Sequence, residues 1–193
     1  LLGTQILAQG HHFPNLTLVV ILNADAGLFA ADYRASERLF ALLEQVAGRA
    51  GRAGLPGEVL IQTRFPQHPV YQSLQTHDFR GFAKALLAER EDAGFPPFVH
   101  EAALRAEAGT MDEAEGFLRR AIAIAPADKT GISIFKPAPL SIPRLARMER
   151  AQVVLQSASR PRLQAFLTQW SSGLQEIRAR EIRWHLDVDP IEF

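Results

Sequence analysis

The sequence predicts a two-part α/β chain: the end of a parallel-sheet unit over residues 1–95, then a ferredoxin-like α+β unit over residues 96–193. Three observations lead there. Before residue 95, apolar strand-like runs alternate with helical periodicity in β-α-β order, which favours a parallel sheet. At Gly94-Phe95-Pro96-Pro97, residues that break regular structure cluster and the rhythm changes. Beyond that point the order becomes β-α-β-β-α-β, the pattern of a split β-α-β pair.

Leu16 to Leu22 is apolar except for Thr17 and predicts a strand covered on both faces. A helix is expected from Tyr33 to Ala50, capped by Asp32, with Leu39, Leu42, Leu43, Val46 and Ala50 at helical spacing. Gly51, Gly54, Pro56 and Gly57 stop it, and Glu58 to Thr63 reads as the next strand. Asp78 to Glu91 predicts an amphipathic helix with Phe79, Phe82, Leu86 and Leu87 on one side.

In the second unit, Phe98 to Ala108 reads as a strand. Thr110 and Glu113 form a capping-box pattern opening a helix through Ala114, Phe117, Ala121 and Ile124. Gly131 to Phe135 predicts a short strand, followed by a Pro-rich stretch holding Pro137, Pro139 and Pro143. Arg150 to Gln156 is another strand. Ser159 then caps a helix burying Leu163, Phe166, Leu167, Trp170 and Leu174. Ile182, Trp184, Leu186 and Val188 alternate with polar residues, as in a half-buried strand.

Composition bounds the function. The chain is 47% hydrophobic and 22% charged, in the range of globular proteins rather than disordered ones. Its longest apolar run is far short of the roughly 20 residues a membrane helix needs, and no signal peptide is visible. The expectation is a cytoplasmic protein without membrane contact. Zero cysteines exclude disulfides and thiolate metal sites within these residues. With 21 basic and 21 acidic residues, any nucleic-acid surface must arise from local clustering. Leu1-Leu2-Gly3-Thr4 reads as a chain already inside a strand, which suggests a piece of something longer.

The sharpest feature is Gln45-Val46-Ala47-Gly48-Arg49-Ala50-Gly51-Arg52-Ala53-Gly54. On a continuous helix Gln45, Arg49 and Arg52 would project from one face. Two guanidinium forks separated by glycines suit a phosphoryl group whose charge is spread over several oxygens. That is the chemistry of an arginine finger. A surface helix ending in a Gly-rich cap with solvated arginines is the bland alternative.

A second motif, Gly3-Thr4-Gln5-Ile6-Leu7-Ala8-Gln9-Gly10-His11-His12-Phe13-Pro14, resembles helicase motif V of superfamily 2, and the arginine string resembles motif VI. Together with Phe29 to Arg38 and the terminal Leu186-Asp187-Val188-Asp189-Pro190-Ile191-Glu192, the chain resembles the bacterial primosomal replication-restart DNA helicases, the PriA (primosomal protein N′) family. The resemblance implies the closing segment of a RecA-like lobe 2, followed by the ferredoxin-like C-terminal domain. It implies an ATP-dependent 3′-to-5′ DNA helicase that restarts stalled forks and initiates primosome assembly. Gly3, Thr4 and Gly48 would couple nucleotide state to DNA, and Gln45, Arg49 and Arg52 would face the nucleotide. The full-length protein would use ATP and magnesium, and bind zinc through cysteines that this chain does not contain. Partners implied are forked and single-stranded DNA, other primosome proteins, and single-stranded DNA-binding protein (SSB), whose acidic tail would meet Arg160 and Gln164. The family often has lysine where this sequence has Gln9, so no backbone-phosphate contact is implied there.

The chain has no G-x-x-x-x-G-K-[ST] phosphate loop and no paired acidic motif for magnesium, so on its own it is expected to be inactive. Three alternatives remain: a binding module for DNA and the SSB tail only, another superfamily 2 motor such as a RecG-like helicase, and a small phosphate-binding enzyme. His11-His12 lacks the spaced partners a metal needs, and no metal is expected. Asp187 and Asp189 read as solvated or turn-stabilising carboxylates. Asp25, at the carboxyl end of a strand, either organises a cleft or closes a turn. Arg144, Arg147 and Arg150, with Lys129 and Lys136, make a locally basic stretch suited either to phosphate contacts or to a solvated loop face.

Overall fold

The computed structural model describes residues 16–29, 32–51, 56–179 and 181–191. The chain divides into two compact units, Leu1–Glu89 and Arg90–Phe193.

In the first unit β1 (Leu18–Ile21) and β2 (Glu58–Ile61) pair in parallel, with Leu18 opposite Glu58 and Ile21 opposite Ile61. Parallel strands cannot be joined by a tight turn. The crossover here is a 3-10 turn, Ala24–Gly27, and helix α1 (Ala35–Ala47). Leu39, Phe40 and Leu43 of α1 bury against Val70, Tyr71 and Leu74 of α2 (Pro69–Thr76) and against Phe82 of α3 (Phe79–Ala93). Phe40 stacks on Phe82 with ring centroids 4.7 Å apart.

Four expectations change in this unit. The strand over Leu16–Leu22 is four residues long, and among the described residues only its Val19 and Ile21 side is covered. Leu18 and Val20 are 47% and 52% exposed. Helix α1 begins after Arg34 and ends at Ala47, three residues before Ala50. Asp32 stands outside it: one carboxylate oxygen accepts the Arg34 N–H at 2.9 Å and the other pairs with Arg38 at 3.0 Å. On α3 only Phe82 of the expected stripe is buried, and Phe79 and Leu87 stay exposed. Helix α2 carries little periodic signal in the sequence because it is only eight residues long. Pro69 in its first turn and the His68 Nδ1, which accepts the Val70 N–H, start it. Burial of Val70, Tyr71 and Leu74 then stabilises a helix too short to stand alone.

The second unit runs β3 (His100–Ala108), α4 (Met111–Ala123), β4 (Ser133–Ile134), β5 (Ala138–Leu145), β6 (Met148–Ser157), α5 (Arg160–Glu176) and β7 (Arg183–Val188). Its sheet is antiparallel in the order β4-β6-β3-β7, with β5 also paired to β6. This is the expected β-α-β-β-α-β order, with the second strand broken into β4 and β5. The Thr110–Glu113 capping box forms in full at the start of α4. Ser159 occupies the N-cap of α5 but makes no side-chain cap bond, contrary to expectation. The Pro-rich stretch is largely strand rather than loop. Pro139 and Pro143 fit because, among the described residues, β5 pairs with β6 alone, and the register shifts between Pro139 and Arg144.

All five residues expected to line α5 are buried. They pack with Phe117, Leu118 and Ala121 of α4 over Ala102, Leu104, Ala106, Val153 and Leu155 of the sheet. Trp170 lies at the centre, 1% exposed, and its indole N–H donates to the Ala121 carbonyl at 2.8 Å. Trp170→Ala is expected to cost this unit about 3–5 kcal/mol, read as a lower denaturant midpoint in chemical unfolding. Trp170→Phe should lose less, since it keeps most of the buried ring volume.

Candidate functional site

The arginine-bearing segment follows α1 as a tightened turn. Gly48 is the C-cap residue, and the Arg49 and Ala50 N–H groups donate to the Val46 and Ala47 carbonyls, three residues back. Gln45 therefore lies on the helix and is exposed, whereas Arg49 lies on the turn and is half-buried. Helix α1 ends before Arg49, so the part of the expected helix face that joins Gln45 to Arg49 does not form. After Gly48 the N–H groups reach back three residues instead of four, which ends the α-helix, and Gly51 then takes φ 72°, a conformation glycine adopts without penalty. Arg52, Gly3 and Thr4 lie outside the described residues, as do Gln9, His11 and His12.

Backbone contacts place this turn at the amino ends of the two parallel strands. The Gly51 N–H donates to the Leu16 carbonyl at 3.0 Å, and the Glu58 N–H to Thr17 at 2.7 Å. Gly57 closes the arrangement, because a Cβ there would fall onto the backbone of Ala50 and Gly51. Glycine is thus required at 51 for its dihedral angle and at 57 for close approach. Gly48, at φ −64°, has no such need.

Asp25 occupies the opposite, carboxyl end of the same strands. Although only 9% exposed, its carboxylate is well served. It accepts the Arg64 N–H at 2.8 Å, the Thr63 hydroxyl at 2.5 Å and the Tyr71 hydroxyl at 2.8 Å. The Arg64 N–H and then the Thr63 hydroxyl hold its pKa below the ordinary carboxylate value, outweighing burial. Burial pushes the Tyr71 phenol up, so it stays a donor. Asp25 thus ties the end of β1 to the end of β2 and to α2, which makes it a turn-closing residue. Thr63 and Tyr71 escaped the sequence reading, since they are 38 and 46 positions away and carry no local signal.

In the second unit Arg160 and Gln164 share the exposed face of the first turns of α5, four residues apart. The Arg160 guanidinium donates to Asp189 at 2.7 Å. Asp189 is held at φ 54° by its N–H to the Glu101 carbonyl and by the buried Pro190 that follows. The terminal Asp-Val-Asp-Pro string is therefore partly a docking element for α5, and Asp187 pairs with Arg105 at 3.5 Å. Among the described residues no group of three or more His, Cys, Asp or Glu is placed to hold a metal ion. No described helix is long and apolar enough to cross a membrane.

Two measurements test these assignments. Because the folded pKa of Asp25 is depressed, its stabilisation is complete above the ordinary carboxylate value of about 3.9 and is lost as pH falls through the lower folded value. Melting curves should show that acid-side loss in the native chain and a flatter profile in Asp25→Asn, which starts from a lower midpoint at neutral pH. Gly57→Ala is expected to destabilise the first unit by about 1–3 kcal/mol through overpacking. An unchanged unfolding curve would rule out the close approach described above.

Comparison with known proteins follows the same division. Residues 91–191 match the family described as Primosomal protein N C-terminal domain. The chain is 42% identical over 191 residues to the replication restart protein PriA of Haemophilus influenzae, covering 98% of this chain and 26% of that protein. It is 40% identical over 193 residues to the protein of the same name from Treponema pallidum, covering 99% and 29%. For the Synechocystis protein of that name the identity is 38%, covering 99% and 23%. The chain spans about a quarter of the length of these relatives. With its second unit matched almost from end to end, this chain belongs to the primosomal protein N C-terminal domain family.

Proposed function

We infer that this chain is part of an ATP-dependent DNA helicase that unwinds 3′ to 5′ and restarts stalled replication forks. One observation carries the inference: end-to-end similarity to proteins named for replication restart, of which this chain spans about a quarter. Residues 1–95 would close a RecA-like lobe 2, and residues 96–193 would form the ferredoxin-like C-terminal domain. The parallel pair with its α1 crossover and the split β-α-β order of the second unit support that division.

ATP with magnesium would supply the phosphoryl group whose cleavage drives the motor. Of the residues that would meet it, Gln45 and Arg49 are described, on a helix end and a turn tied to the sheet by Gly51. An arginine on a turn held by backbone hydrogen bonds suits contact with a phosphate, and Arg52 would add a second. Gly3, Thr4 and Gly48 would pass the nucleotide state to DNA. With no phosphate loop in its sequence, this chain would offer only the arginine side of such a site. Zinc would belong to cysteines elsewhere in the longer protein, since this chain has none. Partners of the whole protein would be forked and single-stranded DNA, primosome proteins and SSB, in the cytoplasm.

Arg160 and Gln164 would receive the acidic tail of SSB, one by charge and the other by hydrogen bonding. In that role Asp189 is the internal competitor that a tail carboxylate displaces.

Arg49→Ala or Arg52→Ala, made in a protein of the relatives' full length, should lower DNA-stimulated ATP hydrolysis about 10³-fold or more. DNA binding without nucleotide should be retained. Turnover within a few-fold of the parent would sink the arginine-finger assignment. The 193-residue chain alone should bind ATP only very weakly, and a micromolar Kd would contradict its being one side of a larger site. For SSB, Arg160→Ala should weaken binding of an acidic tail peptide about tenfold or more at low salt, whereas Asp189→Asn should tighten it.

A further inference from the structure

The β5–β6 hairpin is more costly than a connection between two strands needs to be. Leu145 pairs with Met148, leaving Ala146 and Arg147 as a two-residue loop with φ 49° and 68°. Positive φ at both central positions is what a type I′ turn requires, and Asn-Gly or Gly-Gly satisfies it without strain. Ala146 and Arg147 do not, because a Cβ in that region crowds the following carbonyl. A backbone penalty kept for the sake of a side chain points to use of that side chain.

Charge points the same way. Between residues 129 and 150 stand Lys129, Lys136, Arg144, Arg147 and Arg150 against the single acid Glu149, in a chain of zero formal net charge. Arg150 is engaged on the sheet, paired with Glu107 at 3.2 Å and only 19% exposed. Arg144 is different: 70% exposed, with a 3.6 Å pairing to Glu149. Arg147, at the tip, is exposed and makes no ion pair with any described residue. Apolar Ile142 and Leu145, 60% and 54% exposed, flank these arginines. Pro139 and Pro143, which lack N–H groups, coincide with the break in register between β5 and β6, beyond which Arg144 and Leu145 pair again with Glu149 and Met148.

We propose that the β5–β6 hairpin is a nucleic-acid contact arm, with Arg147 and Arg144 on backbone phosphates and Ile142 and Leu145 against sugars or bases. The chemistry is that of phosphate positioning rather than base reading. It rests on the inference that the longer protein works on DNA, and it names the part of this chain that touches it.

The test is fluorescence anisotropy of the 193-residue chain with labelled duplex and single-stranded oligonucleotides over a salt series. Four proteins are compared: the native chain, Arg147→Gly, the double variant Arg144→Ala/Arg147→Gly, and Arg119→Ala. Arg119 serves as control because it is an exposed arginine already paired on α4 with Asp112 and Glu115. On duplex the slope of log Kobs against log salt should fall by about 1 for Arg147→Gly and about 2 for the double variant. On single strands the reductions should be slightly smaller. Arg119→Ala should leave both slopes unchanged.

Arg147→Gly also relieves the turn, so its melting midpoint should rise by about 4 °C while its affinity falls. Misfolding cannot produce that opposed pair of changes. If the native chain binds DNA and the variants bind with the same slope, the hairpin assignment is wrong while the DNA inference stands. If the native chain binds neither oligonucleotide at low salt, the hairpin assignment falls, and DNA contact by this chain falls with it. A loss seen on only one of the two oligonucleotides supports the arm and tells which form of DNA it contacts.

Discussion

The second unit depends on a division of labour across one central strand. On the face of β3 that meets the helices, Ala102, Leu104, Ala106 and Ala108 are essentially inaccessible, and three of the four are alanine. Small side chains there leave room for the bulky ones of α4 and α5, so Phe117, Phe166 and Trp170 fill the space between helix and sheet. Wider residues on β3 would force those rings out of position, and the Trp170 indole would lose the Ala121 carbonyl. The opposite side of β3 is bound by polar contacts to its neighbours: Glu101 with Gln156, Arg105 with Asp187, and Glu107 with Arg150. Those pairs reach to both β6 and β7 and fix the register from which both chain segments leave the sheet.

Register in turn places the exposed arginines. Because β7 is locked to β3 through Leu186 and Asp187, Asp189 emerges beside the Glu101 carbonyl and opposite the first turn of α5. Arg160 meets it there. The same β6 that carries the Glu107–Arg150 pair runs on from the hairpin whose tip presents Arg147. One rigid sheet therefore supports two basic features with different partners at hand. Arg160 already holds a carboxylate, whereas Arg147 has none among the described residues.

In the first unit, the two ends of a short parallel pair are treated differently. At the carboxyl ends Asp25 spends its acceptor capacity on Thr63, Arg64 and Tyr71, which ties the fold together and leaves little for a ligand. At the amino ends glycine rather than charge governs the geometry. Gly51, at φ 72°, hydrogen-bonds to the Leu16 carbonyl, and Gly57 lets the turn lie on the start of β2. The arginine that follows α1 owes its position to those two glycines and not to a longer helix.

Much of this architecture was legible in the sequence. Periodicity located the β-α-β and β-α-β-β-α-β orders, the five buried residues of α5 and the Thr110–Glu113 capping box, because each is a local pattern with a local cause. Motif spacing singled out Gln45, Gly48 and Arg49 as residues of interest. Tertiary structure decided the rest. Packing against α1 stabilised the short helix α2, and a change to three-back hydrogen bonds after Gly48 ended α1 early. The partners of Asp25 and Arg160 lie 29 to 46 positions away, and only the folded chain brings such groups within hydrogen-bond reach. Sequence determined which residues carry charge and which seek burial. Long-range packing decided which of those charges are already satisfied and which remain available to a partner.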